Sequence, residues 1–99
     1  MSEDPMDRMR ALDGQLSGII EDTRTLAFQD GALSKKMKYL VALGIDASHG
    51  TTEGIRALAV QALKSGASKE EIMEVLRVAY FISGVGSIYA AARALQDVF

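Results

Sequence analysis

Residues 62–72 read ALKSGASKEEI, which is the end of one helix and the start of another joined by a short turn. Gly66 fits the left-handed position that commonly follows a helix C-terminus. Ser68 and Glu71 form a capping box: the serine oxygen accepts the amide of residue 71, and the glutamate accepts the serine amide. This stretch therefore predicts two successive helices, one closing at Gly66 and the other beginning at Ser68.

The sequence on both sides of this turn has the three- and four-residue spacing of helices. The upstream helix should begin at Thr51 or Thr52 and bury Ile55, Leu58, Ala59, Ala62 and Leu63. The downstream helix should bury Ile72, Val75, Leu76, Ala79 and Ile82. Residues 83–87, SGVGS, should interrupt it, because each glycine costs about 1 kcal/mol inside a helix. A last helix should then bury Val85, Ile88, Ala92, Leu95 and Phe99.

The first half of the chain is also helical in pattern. Asp4 and Pro5 look like an N-cap and a first helical residue, predicting a helix through Ile20. Residues 22–31 fit either an extra turn or a connection. Ser34 should cap the next helix, and Gly50 should end it. That helix presents an apolar face made of Met37, Leu40, Val41, Gly44 and Ile45.

These patterns, without any β-branched run of strand length, predict an all-α bundle of five to six helices. The 99 residues suffice for one domain, residues 1–99. A domain this small buries only about 60–65 % of the surface of its unfolded chain. It has no cysteine for a disulfide and a single histidine. We therefore expect a subunit interface to stabilise it, which means a homo-oligomer.

Charge and hydropathy exclude several classes of partner. The 11 basic and 13 acidic residues are scattered along the chain, so no basic face is available for nucleic acid. The acidic start, MSEDP, is not followed by an apolar stretch, and no run of 18 apolar residues occurs. We expect a cytoplasmic protein that binds neither nucleic acid nor membrane, and the pattern predicts no cofactor and no metal site.

Three phrases between residues 33 and 99 resemble the carboxymuconolactone decarboxylase and alkylhydroperoxidase-D-like family. They are LSKKMK at 33–38, ALKSGASKEEI at 62–72 and AARAL at 91–95. The resemblance implies the helical fold of that family and its tendency to form trimers or hexamers. It also implies where functional groups would lie. The redox branch has a glutamate on one helix, a Cys-x-x-Cys at the start of the next, and a histidine one turn later.

In this chain the corresponding positions are Tyr39 for the glutamate, Thr51 and Gly54 for the two cysteines, and Leu58 for the histidine. A threonine hydroxyl is far less acidic than a thiol, and neither threonine nor glycine can form a disulfide. Thiol peroxidase activity is therefore not expected, although a family-wide label would be peroxiredoxin-like. The decarboxylase branch lacks the cysteine pair too, but is similar to the redox branch in keeping a histidine where Leu58 stands.

The polar residues around 46–56 allow an enzymatic alternative. His49, with Asp46 three residues earlier, could act as a general base, while Arg56 and Tyr39 orient a small carboxylate or lactone. This hypothesis requires the three side chains to approach one cavity within about 8 Å. The same residue types are also ordinary helix-end and capping choices.

The sequence thus leaves three functions open. The first is an oligomeric family member without the redox centre that binds a small ligand or has no catalytic role. The second is the lactone- or carboxylate-processing enzyme. The third is a structural or partner-binding module that docks through its first helix and Phe99.

Overall fold

A computed structural model of the protein describes residues 5–99. The described chain is all helical and contains no strand, which confirms the predicted fold class. The predicted N-cap, Asp4, lies outside the described residues. The six helices are α1 (Pro5–Leu12), α2 (Gly14–Phe28), α3 (Lys35–His49), α4 (Thr52–Lys64), α5 (Lys69–Ser83) and α6 (Gly86–Ala94).

The hydrophobic core lies among the last four helices. Its largest fully buried side chains are Leu43 from α3, Ile55 from α4 and Ile72 from α5. The fully buried side chains of helix α6 are all small, and they let its backbone approach α4 and α5 closely. These residues are Ser87, Ala90, Ala91 and Ala94.

The predicted helix ends between residues 34 and 86 are confirmed, but the last helix ends at Ala94 and does not reach Phe99. Ser34 accepts the amide of Met37 at 3.1 Å. The Ser68 hydroxyl accepts the amide of Glu71 at 3.0 Å, and the Glu71 carboxylate accepts the Ser68 amide at 2.9 Å. Gly50 has a φ of 71°, so it supplies the left-handed stop that the sequence predicted.

The prediction of one continuous first helix through Ile20 is wrong. Asp13 has extended backbone (φ −153°), and its carboxylate accepts the amide of Leu16 at 2.9 Å. It therefore ends α1 and caps α2. The stretch 22–31, left open by the sequence, is helical to Phe28, because the weak helix propensity of its threonines is small against the cooperativity of a 15-residue helix.

The predicted buried face of the last helix is confirmed only in part, because two of its five residues, Ile88 and Leu95, are partly buried against the core. Val85 and Phe99 are exposed, as is Ala92, while the alanines on the opposite side form the contact. Helix α5 departs from its prediction at one position, since Ile82 is 72 % exposed. The small side chains on the contact face let α6 approach its neighbours closely, with Ile88 packing beside them.

Helices α1 and α2 form a hairpin that projects from this core. Ser17 is its only buried residue among those described. The radius of gyration is 14.2 Å, against about 12.6 Å for a compact domain of this length. Within residues 5–99, no helix is both long and apolar enough to cross a membrane.

Candidate functional site

Tyr39 lies on α3 and is partly buried against the core. Its ring stacks on Phe28 at the end of α2, with centroids 4.7 Å apart and planes inclined by 19°. Offset stacking of this kind fixes an aromatic side chain by packing. Tyr39 therefore joins the hairpin to the core.

At the α3–α4 junction, the Asp46 side chain leaves no space for a side chain at residue 54. A Cβ on Gly54 would lie 2.9 Å from the Asp46 carboxyl carbon and closer still to one of its oxygens. The Asp46 carboxylate thus occupies the space in which any side chain at residue 54 would begin. Thr51 precedes α4 without making a side-chain cap hydrogen bond, and Leu58 packs against the core. The four positions singled out by the resemblance therefore hold packing and junction residues.

Arg56 is engaged by a carboxylate of its own chain. Its Nε donates to Asp97 at 3.0 Å, and its Nη2 donates to the second oxygen at 2.8 Å. Hydrogen bonding to Asp97, followed by the attraction of the opposite charge, raises the pKa of Arg56. The hydrogen bonds from Arg56 in turn lower the pKa of Asp97. This pair ties α4 to the segment after α6.

His49 is the last residue of α3 and is exposed. Among the described residues, its side chain makes no hydrogen bond. Neither His49 nor Arg56 nor Tyr39 lines the groove described next, which has its own set of residues. The structure gives these three residues separate surroundings: a helix end, an ion pair and an aromatic stack. A catalytic role for them stays a prediction.

A groove of about 610 Å³ runs between α3 and α5. Its walls are mainly aliphatic, and the lining residues are Met37, Leu40, Val41, Gly44, Ile45, Ser48, Glu71, Glu74, Val75, Val78, Ala79 and Ile82. Gly44 allows the two helices to approach, since a Cβ there would meet Val75 at 3.2 Å. The floor of the groove is made of buried core residues, Leu40 and Ala79. Its upper walls are exposed to solvent.

Three polar side chains line this groove. The Glu71 carboxylate already has partners in its own chain. It accepts a hydrogen bond from the Ser68 amide and forms an ion pair with Lys36, whose Nζ lies 3.0 Å away. The backbone hydrogen bond and then the lysine lower the pKa of Glu71. Glu74 and Ser48 have no side-chain hydrogen bond within residues 5–99. They are free to contact a ligand in an otherwise apolar groove.

The sequence did not identify this groove, because an apolar helix face does not show whether it packs in the core or lines a groove. One signal was available: α3 carries Met37, Val41 and Ile45 in addition to Leu40, Leu43 and Ala47. Such a stripe is wider than one helix needs to contact a single core. The surplus residues form the groove wall.

Residues 15–97 match the sequence pattern of the carboxymuconolactone decarboxylase family. The chain belongs to that family. A solved relative is a carboxymuconolactone decarboxylase family protein from Legionella pneumophila, in an apo crystal structure. It superposes with a TM-score of 0.86 and 28 % identity, over 92 % of this chain and 81 % of the other. The search of curated proteins found no match.

The family match begins at residue 15, whereas the three phrases that resemble the family lie between residues 33 and 99. It therefore includes α2. The solved relative is matched over more of the chain than residues 29–99 alone can supply, so the superposition also includes most of the α1–α2 hairpin. The projecting hairpin is part of the shared fold.

Proposed function

We propose that this member of the carboxymuconolactone decarboxylase family is an oligomeric protein that binds a small ligand in the α3/α5 groove and performs no thiol redox chemistry. The main support for this proposal is the volume of the groove and the chemistry of its lining. Its volume of about 610 Å³ lies within the range of roughly 300–1,000 Å³ usual for small-molecule sites. Apolar walls with a few polar groups are likewise typical of such sites.

The junction of α3 and α4 supports the absence of thiol chemistry. The chain has no cysteine, and the Asp46 carboxylate lies in the space next to Gly54. Dithiol reduction of a peroxide needs one thiolate to attack and a second cysteine to resolve the product. No pair of groups at residues 51 and 54 can provide either step.

The groove favours a neutral, largely apolar ligand. Glu71 and Glu74 are its only charged lining residues, and both are acidic. Glu71 is already paired with Lys36, but the unpaired Glu74 would repel a carboxylate ligand and would not repel a lactone or an uncharged acyl compound. The Ser48 hydroxyl and the Glu74 carboxylate both line the groove and can meet a polar end of the ligand. Of the two ligand classes that the sequence suggested, the lactone fits better.

A thermal-shift panel tests the proposal, because ligand that binds the folded state raises the unfolding midpoint. The panel contains lactones, acyl esters and matching carboxylates. Ile45→Trp should block the groove and abolish the shift given by lactones. Tyr89→Trp, an exposed apolar position outside the groove, is the matched control and should keep it.

Two results would contradict this proposal. One is the absence of any stabilising compound in the whole panel. The other is a hit that survives Ile45→Trp but disappears in His49→Ala, which would move the ligand to the α3–α4 junction. That second result would favour the enzyme alternative built on His49, Arg56 and Tyr39.

A further inference from the structure

Helix α2 has an apolar stripe that nothing within residues 5–99 covers. Leu16, Ile19, Thr23 and Leu26 follow one another at intervals of three, four and three residues, the spacing of a helix-packing seam. All four are exposed, Ile19 to 62 % and Leu26 to 69 %. A stripe of this kind on a helix that buries only Ser17 is a contact surface without its partner.

The α3/α5 groove has matching dimensions and chemistry. From Leu16 to Leu26 the stripe is roughly 15 Å long at 1.5 Å per residue, and the α3 wall from Met37 to Ser48 is roughly 16 Å long. The upper walls of the groove are exposed and aliphatic, with Val78 exposed to 65 %. An amphipathic helix laid into an apolar groove is a common mode of recognition.

The α2 helix of the same chain does not cover this groove. The hairpin is fixed to the core at the end of α2, where Phe28 stacks on Tyr39. Two polar contacts hold the connection that follows: Lys38 Nζ donates to the Gln29 carbonyl at 2.6 Å, and the Lys35 amide donates to Asp30 at 2.8 Å. With this attachment, the stripe and the groove are both exposed in one chain.

The accessible surface of the single chain is larger than that of a compact monomer, as expected for a chain that buries part of its surface against another copy. Its accessible surface is 6766 Å², against about 5,500 Å² for a compact monomer of 10.6 kDa. The excess of about 1,300 Å² exceeds the roughly 800 Å² per partner that a stable interface buries. A second copy of the chain offers the stripe and the groove together, so reciprocal exchange can cover both.

We propose that α2 of a second copy lies across the α3/α5 groove and forms its roof. The partner then contributes its Leu16, Ile19 and Leu26 side chains to the site, which is incomplete in a single chain. This inference rests on the proposed function only in treating the groove as the ligand site. The roof would remove the exposed walls from water and enclose the ligand between three helices.

A complementation experiment tests the pairing of two different surfaces. Ile19→Glu damages the stripe, and Val78→Glu damages the groove; both residues are exposed, so each single chain should fold. Light scattering after gel filtration should give each variant a smaller mass than wild type. A mixture of the two should regain mass, because it contains one intact stripe and one intact groove. Phe81→Glu, at an exposed position outside both surfaces, should assemble like wild type.

Cross-linking gives an independent readout, because the cysteine-free chain provides a clean background. Chains with Ile19→Cys are mixed with differently tagged chains with Val78→Cys under mild oxidation. A mixed disulfide is expected, and so is one from Leu26→Cys with Val41→Cys. Ile19→Cys with Phe81→Cys is the control and should give little.

The proposal is overturned if both single glutamate variants keep the wild-type mass or if mixing them restores nothing. It is also overturned if neither cysteine pair cross-links, or if Ile19→Cys chains pair chiefly with each other. The ligand panel separates this outcome from failure of the proposed function. A lactone that still stabilises monomeric Ile19→Glu would leave the groove as the ligand site and remove only the roof.

Discussion

The α1–α2 hairpin and the α3–α6 bundle have similar apolar periodicity but opposite burial. Among the described residues, every buried hydrophobic side chain lies between Leu40 and Ala94, and the hairpin buries only Ser17. Leu43 and Ile19 show the difference, since the first is fully buried and the second mostly exposed. Periodicity therefore indicates which face of a helix makes contacts, while the neighbouring helices, of this chain or another, determine whether that face is covered.

The largest difference between the two regions should appear on truncation. Leu43→Ala should lower the free energy of unfolding by about 2–5 kcal/mol, because it leaves a cavity in the core. Ile19→Ala should change it by less than about 0.5 kcal/mol in dilute, monomeric protein. Urea unfolding at several protein concentrations measures both. A large loss for Ile19→Ala in the monomer would show that the hairpin is covered within its own chain.

Helix caps should differ in the same way within the bundle. Ser68→Ala removes a capping-box hydrogen bond and should cost about 0.5–2 kcal/mol. Thr51→Ala removes a residue that makes no side-chain cap hydrogen bond, so its cost should be close to zero. Thermal unfolding of the two variants compares them directly. Equal costs would mean that the α4 start is capped in solution.

The contact between Gly54 and Asp46 should appear as non-additivity. Gly54→Ala gains helix propensity but must displace the Asp46 carboxylate. Once Asp46→Ala has removed that carboxylate, the same substitution should be more favourable, by roughly 0.5–3 kcal/mol. A double-mutant cycle of unfolding free energies measures the coupling. Strict additivity would show that the carboxylate does not lie against Gly54.

The smallest effect should be a pH dependence that arises in the bundle. The Ser68 amide and Lys36 lower the pKa of Glu71 below its ordinary value of 4.5. Because the pKa of Glu71 is lower in the folded state, the ionised carboxylate stabilises the fold at any pH above the ordinary pKa. This stabilisation is lost as the pH falls through the lowered pKa of the folded state. In Glu71→Gln, the free energy of unfolding should therefore fall less steeply with decreasing pH in the acidic range than it does in wild type. Asp97→Asn, which removes the partner of Arg56, should leave the Glu71 contribution in place.

Much of the fold was predictable from local chemistry. Ser34, Gly50 and the Ser68–Glu71 box act within one helical turn, so their neighbours in sequence determine what they do. Asp13 acts just as locally, but its cap was overlooked because the apolar spacing of Met9, Leu12 and Leu16 continues across it. The contact face of the last helix was predictable only in part: Ile88 and Leu95 pack against the core, but burial of Ala90, Ala91 and Ala94 depends on the close approach of α6 to its neighbours.

The candidate site was less predictable than the fold. The resemblance directed attention to Tyr39, Thr51, Gly54 and Leu58, and the structure shows these as packing and junction residues. The apolar faces of α3 and α5 include the groove residues, and a sequence pattern cannot tell a face that is buried in the core from one that lines a groove. Arg56 illustrates the same limit, because its partner, Asp97, lies 41 residues away in the sequence.

The sequence by itself determined the all-helical class, most helix ends after residue 34, the family and the absence of cysteine, because each of these depends on residue identity and short-range spacing. The tertiary structure alone decided that the hairpin projects, that Asp46 fills the space beside Gly54, and that α3 and α5 leave an apolar groove. These features depend on distances between residues far apart in the chain, and those distances are set by the packing of whole helices.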